Sequence, residues 1–435
     1  MCRNIFILLF IFSFEFSSAQ KDARPNIIYI MADDLGYADL SCYGRKDYQT
    51  PDLDKLCAQG VKFMNAYAAA PVCTPTRAAF FTGRYPARLT IGLYEPLVGD
   101  SLVGLTSQTP SIATLLKKAG YETHLIGKWH LGFLPEHAPN KNGFDHFFGF
   151  KTGATDYITH TALHGEPDLY ENETLVEKSG YITDILCEKA IEVINQRHQK
   201  PFFLALMFSA PHWPWQAPGD MPAAHGDGAA WSKGGSPQVF ASMMKSLDDA
   251  VGKVVKAIDD LNLSDNTVII FTSDNGGEKF SDNGIYKGGK MQLWEGGIRE
   301  PAFVRWTGKL KENSTTGQVA TTMDWTATIL GLAGARADKD FPLDGIDLMP
   351  MLTGKKAEVQ RTLYWRISQR RQNYAVRDGN WKWLRDEKAE EYLFDLSADP
   401  SEKNNLKEKF PETFLKLKNK FNAWEKIVLA PIPLQ

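Results

Sequence analysis

Residues 26–31, Asn-Ile-Ile-Tyr-Ile-Met, form a mostly apolar run that meets Asp33-Asp34 two positions later, and this pattern decides the fold. It recurs three times along the chain. Residues 122–126 lead into Gly127-Lys128-Trp129-His130, residues 202–208 into Ala210-Pro211-His212, and residues 267–271 into Ser273-Asp274-Asn275-Gly276. Short runs rich in Ile, Val and Phe, bounded by polar clusters, read as buried strands. Helical stretches lie between them, at residues 110–119, 183–196 and 240–261. Strands alternating with helices specify an α/β fold, here a large mixed, mostly parallel sheet flanked by helices. Ligands of such sheets bind beyond the carboxyl ends of the strands, where the four polar clusters are expected to converge.

The character changes after about Gly345. Residues 374–377 and 381–384 read as a hairpin turning at Asp378-Gly379-Asn380, and residues 391–396 as a further strand. Residues 410–426 read as a Lys-rich amphipathic helix with a solvated charged face. These segments specify a smaller C-terminal subdomain of antiparallel sheet plus helix. Residues 213–237, rich in Pro, Gly and Ala, read as a long surface loop. At the other end, Arg3, the apolar stretch at 5–16 and Ser17-Ser18-Ala19 have the layout of a secretory signal peptide. The expected division is thus a signal peptide at 1–19, a main domain at 20–345 and an α+β subdomain at 346–435. The protein is expected to be secreted or periplasmic. No membrane anchor is expected, because the leader is short for a span and no later segment is long and apolar enough.

The 435 residues suffice for one large domain and a smaller one. A formal net charge of −3 lacks the Lys and Arg excess that neutralises phosphates, so nucleic acid is excluded as the main partner. An anionic substrate must be held by a few local cations or a metal. Once Cys2 leaves with the signal, Cys42, Cys57, Cys73 and Cys187 remain. They form no Cys-x-x-Cys pair and are too sparse for a disulfide scaffold; a Cys42–Cys57 bridge is left open by the spacing.

The sharpest chemical signal is Cys73-Thr74-Pro75-Thr76-Arg77, followed by Gly83-Arg84. Pro75 suits the first turn of a helix, with Cys73 just before it and Arg77 one turn on. Free N–H groups at the helix start and the Arg77 charge would stabilise an anion developing at residue 73. Alone, such a cysteine reads more often as a small buried hydrophobe. The pattern Cys-x-Pro-x-Arg with Thr82-Gly83-Arg84, however, resembles the signature of type I sulfatases of the alkaline phosphatase superfamily. The family's other motifs follow in order along nearly the whole mature chain. Thr76 stands where many members have Ser.

That resemblance implies that Cys73 is oxidised to formylglycine by a formylglycine-generating or anaerobic sulfatase-maturating enzyme. It implies that Asp33, Asp34, Asp274 and Asn275, with residue 73, hold a calcium ion that touches a sulfate oxygen. Oxygen donors of this kind suit hard cations, and ligand type alone leaves magnesium open. Read singly, each acidic pair is a turn former or helix cap. Lys128 is implied to contact sulfate, and His130 to bond the hydroxyl on residue 73; in an extended segment the two share one side. His212 is implied to approach the departing ester oxygen as general acid, and Lys290, in Gly288-Gly289-Lys290, to bridge sulfate and leaving group. With Arg77, these residues imply nucleophilic catalysis by a hydrated aldehyde, which an ordinary Ser or Cys lacks the second hydroxyl to complete.

For substrate, secretion and open polar loops suit a sulfated carbohydrate. Asp156, His160, Trp213 and Trp215 are the expected sugar contacts, through hydroxyl hydrogen bonds or stacking, although loop aromatics also simply pack. Two other readings differ in testable features. A phosphomonoesterase or phosphodiesterase on this fold would use Ser or Thr and two metals. A non-catalytic glycan-binding protein would lack at least one key residue, and none is missing.

Overall fold

The computed structural model describes residues 24–99, 101–226, 228–369 and 372–432; the leader expected at 1–19 lies outside the described residues. The main sheet comprises β1 (Asn26–Ala32), β2 (Val61–Tyr67), β3 (Glu122–Lys128), β4 (His146–Phe150), β5 (Tyr170–Glu171), β6 (Thr174–Leu175), β7 (Phe202–Met207), β8 (Thr267–Ser273), β9 (Arg299–Arg305), β10 (Ser314–Thr316) and β11 (Ala320–Thr321). Its order is β10-β2-β9-β8-β1-β7-β3-β4-β5-β6, with β11 also on β2. The centre, β8-β1-β7-β3-β4, is parallel; β9 runs antiparallel to both β8 and β2. All four expected strands are therefore central neighbours, and their carboxyl ends lie side by side.

Burial on both faces explains the continuous apolar runs. Along β1, Ile28 and Ile30 pack with the helices Pro51–Ala58, Ile182–Ile194 and Pro237–Asp260. Ile27, Tyr29 and Met31 pack on the other face with Cys73–Thr82, Ile112–Lys118 and Thr322–Leu332. One strand thus feeds two cores through its period of two.

The smaller sheet is the antiparallel meander β12 (Thr362–Ile367), β13 (Asn373–Asp378), β14 (Trp381–Arg385) and β15 (Glu391–Asp395). The hairpin, the last strand and the helix Pro411–Glu425 match the reading of the sequence, which missed β12. One face packs against Leu417, Phe421 and Trp424 of that helix. The other carries Leu363, Trp365 and Leu384 into a cluster with Val72 and Cys73. This small sheet thereby backs the segment that bears residue 73.

A buried ion cluster ties the two sheets together. Lys382 Nζ on β14 lies 2.9 Å from Glu295 Oε1 and 2.8 Å from Glu402 Oε1, all three side chains fully enclosed. Tyr67 donates to Glu295 Oε2 at 2.6 Å, and Arg299 Nη1 reaches the same oxygen at 3.2 Å. Removing one member leaves an uncompensated charge in the interior. Lys382→Ala is expected to cost roughly 3–5 kcal/mol, read as a lower midpoint in urea denaturation. An unchanged midpoint would show that the cluster does not hold the sheets together.

The stretch at 213–237 is less open than its composition suggests. Trp215, Gln216 and Trp231 are buried, and Gly228–Lys233 forms a short helix. Indole and amide groups anchor it against the body, an effect that a Pro and Gly count does not register. Cys42, Cys57, Cys73 and Cys187 are all free thiols, Cys42 and Cys57 as unbridged neighbours.

Candidate active site

Asp33 and Asp34 follow β1 directly, and a left-handed backbone at Asp34 (φ 61°) turns the chain at the sheet edge. Asp274 and Asn275 follow β8 in the same way. Asp34 N–H donates to Asp274 Oδ1 at 3.1 Å, and Asn275 Nδ2 donates to Asp34 Oδ1 at 2.7 Å, joining the two strand ends. Lys128, the last residue of β3, places Nζ 2.5 Å from Asp33 Oδ2. Gly127 before it has φ 110°, and a Cβ there would lie 1.9 Å from the Met207 carbonyl oxygen, so only glycine fits.

Cys73 is the first residue of the helix Cys73–Thr82, inside the first turn rather than just ahead of it, and is almost fully buried. Burial pushes its thiol up, against the charge of Lys128. An unmodified Cys73 is thus a poor source of thiolate. One turn on, the Arg77 guanidinium bonds Asp274 Oδ2 through Nε at 3.2 Å and Nη2 at 2.9 Å, and lies 3.5 Å from Asp33 Oδ2. Nη1 donates to the Lys128 carbonyl oxygen at 3.2 Å, fixing the fork in place.

Lys290 comes from the loop before Trp294 and enters the same group. Its Nζ lies 2.6 Å from Asp34 Oδ2, 3.2 Å from His212 Nε2 and 3.4 Å from Glu278 Oε2. Burial alone would raise the Asp34 carboxyl, yet the Lys290 ammonium holds it below the usual carboxylate range. Asp274 behaves oppositely: burial, then the Asp33 charge, push it up to about 7. Such crowding of carboxylates calls for positive charge.

The two histidines have defined tautomers, because each bonds a carbonyl oxygen that only accepts. His212 Nδ1 donates to Trp213 O at 2.5 Å, leaving Nε2 as the lone pair that faces Lys290. His130 Nε2 donates to Leu97 O at 3.0 Å, leaving a buried Nδ1 without a partner. Burial first, then Lys290 for His212 and Lys128 for His130, hold both rings far below the ordinary histidine value, so both are neutral. The alternation argument for Lys128 and His130 does not apply: β3 stops at Lys128, and His130 is left-handed (φ 55°). It is the turn, packed against Gly153, that sets the ring.

Two oxygens at the centre are unpaired. Asp33 Oδ1 and Asn275 Oδ1 are buried and have no hydrogen-bond partner. Asp33, Asp34 and His212 each bring a ligand atom within 4.8 Å of the others. An oxygen-rich donor set with orphaned acceptors fits a hard divalent cation.

The expected sugar contacts separate into two pairs. Asp156 is buried, and its carboxylate accepts from Ile158 N, Thr159 N, Ala223 N and Gln216 Nε2, which organises its own loop. His160 is also buried, with Nε2 on Gly180 O at 3.0 Å. Both side chains are thus engaged by protein groups, including Gln216, Ala223 and Gly180 from neighbouring segments. Trp213 is half-buried beside His212, ring centroids 4.5 Å apart, with Lys290 Nζ 5.8 Å from its ring. Trp215 lines an adjoining cleft of about 320 Å³ with Gln216, Met221 and Trp231. Glu278 escaped the reading of the sequence, although it follows Asp274-Asn275 after only two glycines.

A family model for sulfatases matches residues 25–335, which spans every side chain of this cluster. The chain belongs to the sulfatase family. This sulfatase is a sulfuric ester hydrolase of the alkaline phosphatase superfamily. Residues 284–426 also match the model "N-sulphoglucosamine sulphohydrolase, C-terminal". Among curated proteins, the N-acetylgalactosamine-6-sulfatase of Canis lupus familiaris is 32% identical over 389 residues, covering 83% of this chain and 72% of the relative. The steryl-sulfatase of Homo sapiens is 33% identical, covering 80% and 73%. The crystal structure of Ps i-CgsB superposes with a TM-score of 0.83 at 32% identity, covering 92% of each chain, and that protein has also been solved with k-i-k-neocarrahexaose.

Proposed function

We propose that this sulfatase hydrolyses sulfate esters of a carbohydrate, with residue 73 as formylglycine and a divalent cation, calcium or its alternative magnesium, held by Asp33, Asp34, Asp274 and Asn275. One observation carries the reading: three carboxylates and three cations surround residue 73 at the strand ends, with two oxygens left unpaired. Asp33, Asp34, Asp274 and Glu278 stand against only three cations, Arg77, Lys128 and Lys290, so no positive charge is left over. A sulfate monoester would therefore bring an uncompensated charge into a buried site. The unpaired oxygens of Asp33 and Asn275, with Asp34 and Asp274, would hold a divalent cation, which would supply that compensating charge and Lewis acidity. As a hydrated aldehyde, residue 73 supplies one hydroxyl to attack sulfur and a second to expel sulfate afterwards.

The remaining work belongs to side chains. Arg77, Lys128 and Lys290 neutralise the sulfate oxygens as charge shifts towards the leaving group. His212 turns Nε2 to the departing oxygen and protonates it once that nitrogen has taken a proton from solvent, while Lys290 keeps its charge beside it. His130, with Nδ1 unprotonated, takes the proton of the remaining hydroxyl. His212→Ala is expected to lower kcat/KM roughly 10²–10⁴-fold on a sugar sulfate, whose alcohol leaves poorly. An aryl sulfate, with its better leaving group, should lose far less. Equal losses on both substrates, measured side by side, would remove His212 from the acid role.

Carbohydrate as the substrate class is supported by the relatives, one named for N-acetylgalactosamine 6-sulfate and one solved with a carrageenan oligosaccharide. Trp213 beside His212 offers a face for stacking on a sugar ring. We place the catalytic domain at 20–345 and the α+β subdomain at 346–435, with export directed by 1–19 to the periplasm or the exterior. Among the described residues no helix is long and apolar enough to cross a membrane. A formylglycine-generating or anaerobic sulfatase-maturating enzyme is the required partner. The test is sulfate release, followed by ion chromatography, from carrageenan oligosaccharides, N-acetylgalactosamine 6-sulfate, a steryl sulfate and an aryl sulfate. Turnover of the sugars is expected; turnover of steryl sulfate alone would overturn the substrate class.

A further inference from the structure

The amino ends of the parallel strands, remote from residue 73, carry a second group of ligand-type side chains. Alternation along β3 puts Glu122 and His124 on one face. His198 joins them from the connection between the helix Ile182–Ile194 and β7. One ligand atom from each lies within 4.8 Å of the others.

The hydrogen bonding of this group is incomplete. His124 is 6% exposed, yet neither ring nitrogen has a hydrogen-bond partner. With neither nitrogen engaged, the ring has a lone pair to give. His198 Nε2 lies 2.8 Å from Val193 O, which only accepts, so Nε2 carries the hydrogen. In the neutral ring Nδ1 is then a lone pair, 2.6 Å from Glu122 Oε2, itself an acceptor. Two acceptors so close repel unless a proton or a metal ion lies between them.

We propose that Glu122, His124 and His198 form a binding site for a divalent transition metal, zinc above all. Two imidazoles and one carboxylate suit Zn²⁺, whereas Ca²⁺ takes oxygen ligands. The site is thus chemically distinct from the oxygen-lined cluster beside residue 73. The Val193 carbonyl is the outer partner that fixes the His198 tautomer. Glu122 is one-third exposed (33%), which leaves its carboxylate room to back away and gives the ion a path in. His146 lies opposite His124 in register, but its Nε2 engages Glu171, leaving three protein ligands and a water position. The bound metal clamps β3 to the connection that follows the helix and takes no part in ester hydrolysis.

The test uses the full matured chain in excess Ca²⁺. Bound zinc is counted after dialysis, and Co²⁺ is added separately to look for ligand-field bands of tetrahedral intensity. Wild type is expected to hold one more zinc per chain than His124→Gln or His198→Asn. Zinc should raise its Tm by roughly 2–5 °C, a response both variants lose while they hydrolyse substrate at the wild-type rate. If His124→Gln does not fold, Glu122→Gln and His198→Asn, both at partly exposed positions, carry the comparison. Equal zinc content and equal Tm response in wild type and variants would overturn the site and leave Glu122 and His198 as an ordinary ion pair.

Discussion

Cys73→Ala, in protein matured alongside the wild type, is expected to lose sulfate ester hydrolysis by roughly 10⁴–10⁶-fold in kcat. The loss should come without unfolding. Alanine fits the first turn of the helix Cys73–Thr82, and the thiol of Cys73 makes only a small part of the packing among Val72, Leu293 and Trp365. Binding should survive, because Arg77, Lys128 and Lys290 are untouched. Cys73→Ser sharpens the test. A serine hydroxyl placed at residue 73 is able to attack sulfur once, but it has no second hydroxyl with which to release the product. The serine variant is therefore expected to retain sulfate covalently on the tryptic peptide that contains residue 73. In the wild type, the same peptide should weigh about 18 Da less than the cysteine form, from exchange of SH and one hydrogen for the aldehyde oxygen. Full activity of Cys73→Ala would sink the mechanism, and an unmodified Cys73 in a host that converts a control sulfatase would undercut it.

Chelation is the second large effect. Exhaustive treatment with a calcium chelator is expected to lower kcat/KM by roughly 10²–10⁴-fold, as loss of several kcal/mol of transition-state charge stabilisation requires. It should also lower stability. A cation present at a hundred times its Kd contributes about 2.7 kcal/mol to the folded state, and its removal returns Asp33 Oδ1 and Asn275 Oδ1 to the unpaired condition. The fall in Tm, recorded by calorimetry with and without chelator, reads the same site without catalysis. Asp33→Asn should reproduce both losses and resist rescue by added cation. Add-back separates the two ions: Ca²⁺ accepts irregular oxygen cages, whereas Mg²⁺ demands a near-octahedral shell and keeps its waters. Recovery by Ca²⁺ at the lower concentration is expected. If the chelated protein keeps its activity and its Tm, the cation has no place at this cluster.

Much of this was legible because it is local. The runs at 26–31, 122–126, 202–208 and 267–271 carry their strand character in their own composition, and each delivers its polar residues directly at its end. The subdomain hairpin announced itself through Asp378-Gly379-Asn380, and the helix Pro411–Glu425 through its period. Other features depend on partners distant in the chain. Strand β12 has no turn signal of its own and is defined by pairing with β13. The Glu295–Lys382–Glu402 cluster joins residues more than 80 positions apart along the chain on one side, a proximity that no pattern of spacing encodes. Asp156 was an expected sugar contact because a polar side chain in a loop is usually solvated. Four donors from its surroundings claimed it instead.

By itself, then, the sequence determined the α/β class, the central strands and the identity of the residues at their ends, since these follow from short-range hydrophobic periodicity and from motifs that sit at strand termini. Only the tertiary structure decided which atoms face one another. It set the His130 and His212 tautomers through the Leu97 and Trp213 carbonyls, left Asp33 Oδ1 and Asn275 Oδ1 unpaired, and brought Glu278 to Lys290. It also gathered Glu122, His124 and His198 at the far end of the sheet. The physical reason is range. Strand and helix preferences act over a few residues, whereas protonation, orphaned acceptors and metal donor sets depend on distances of a few ångströms between segments that only packing brings together.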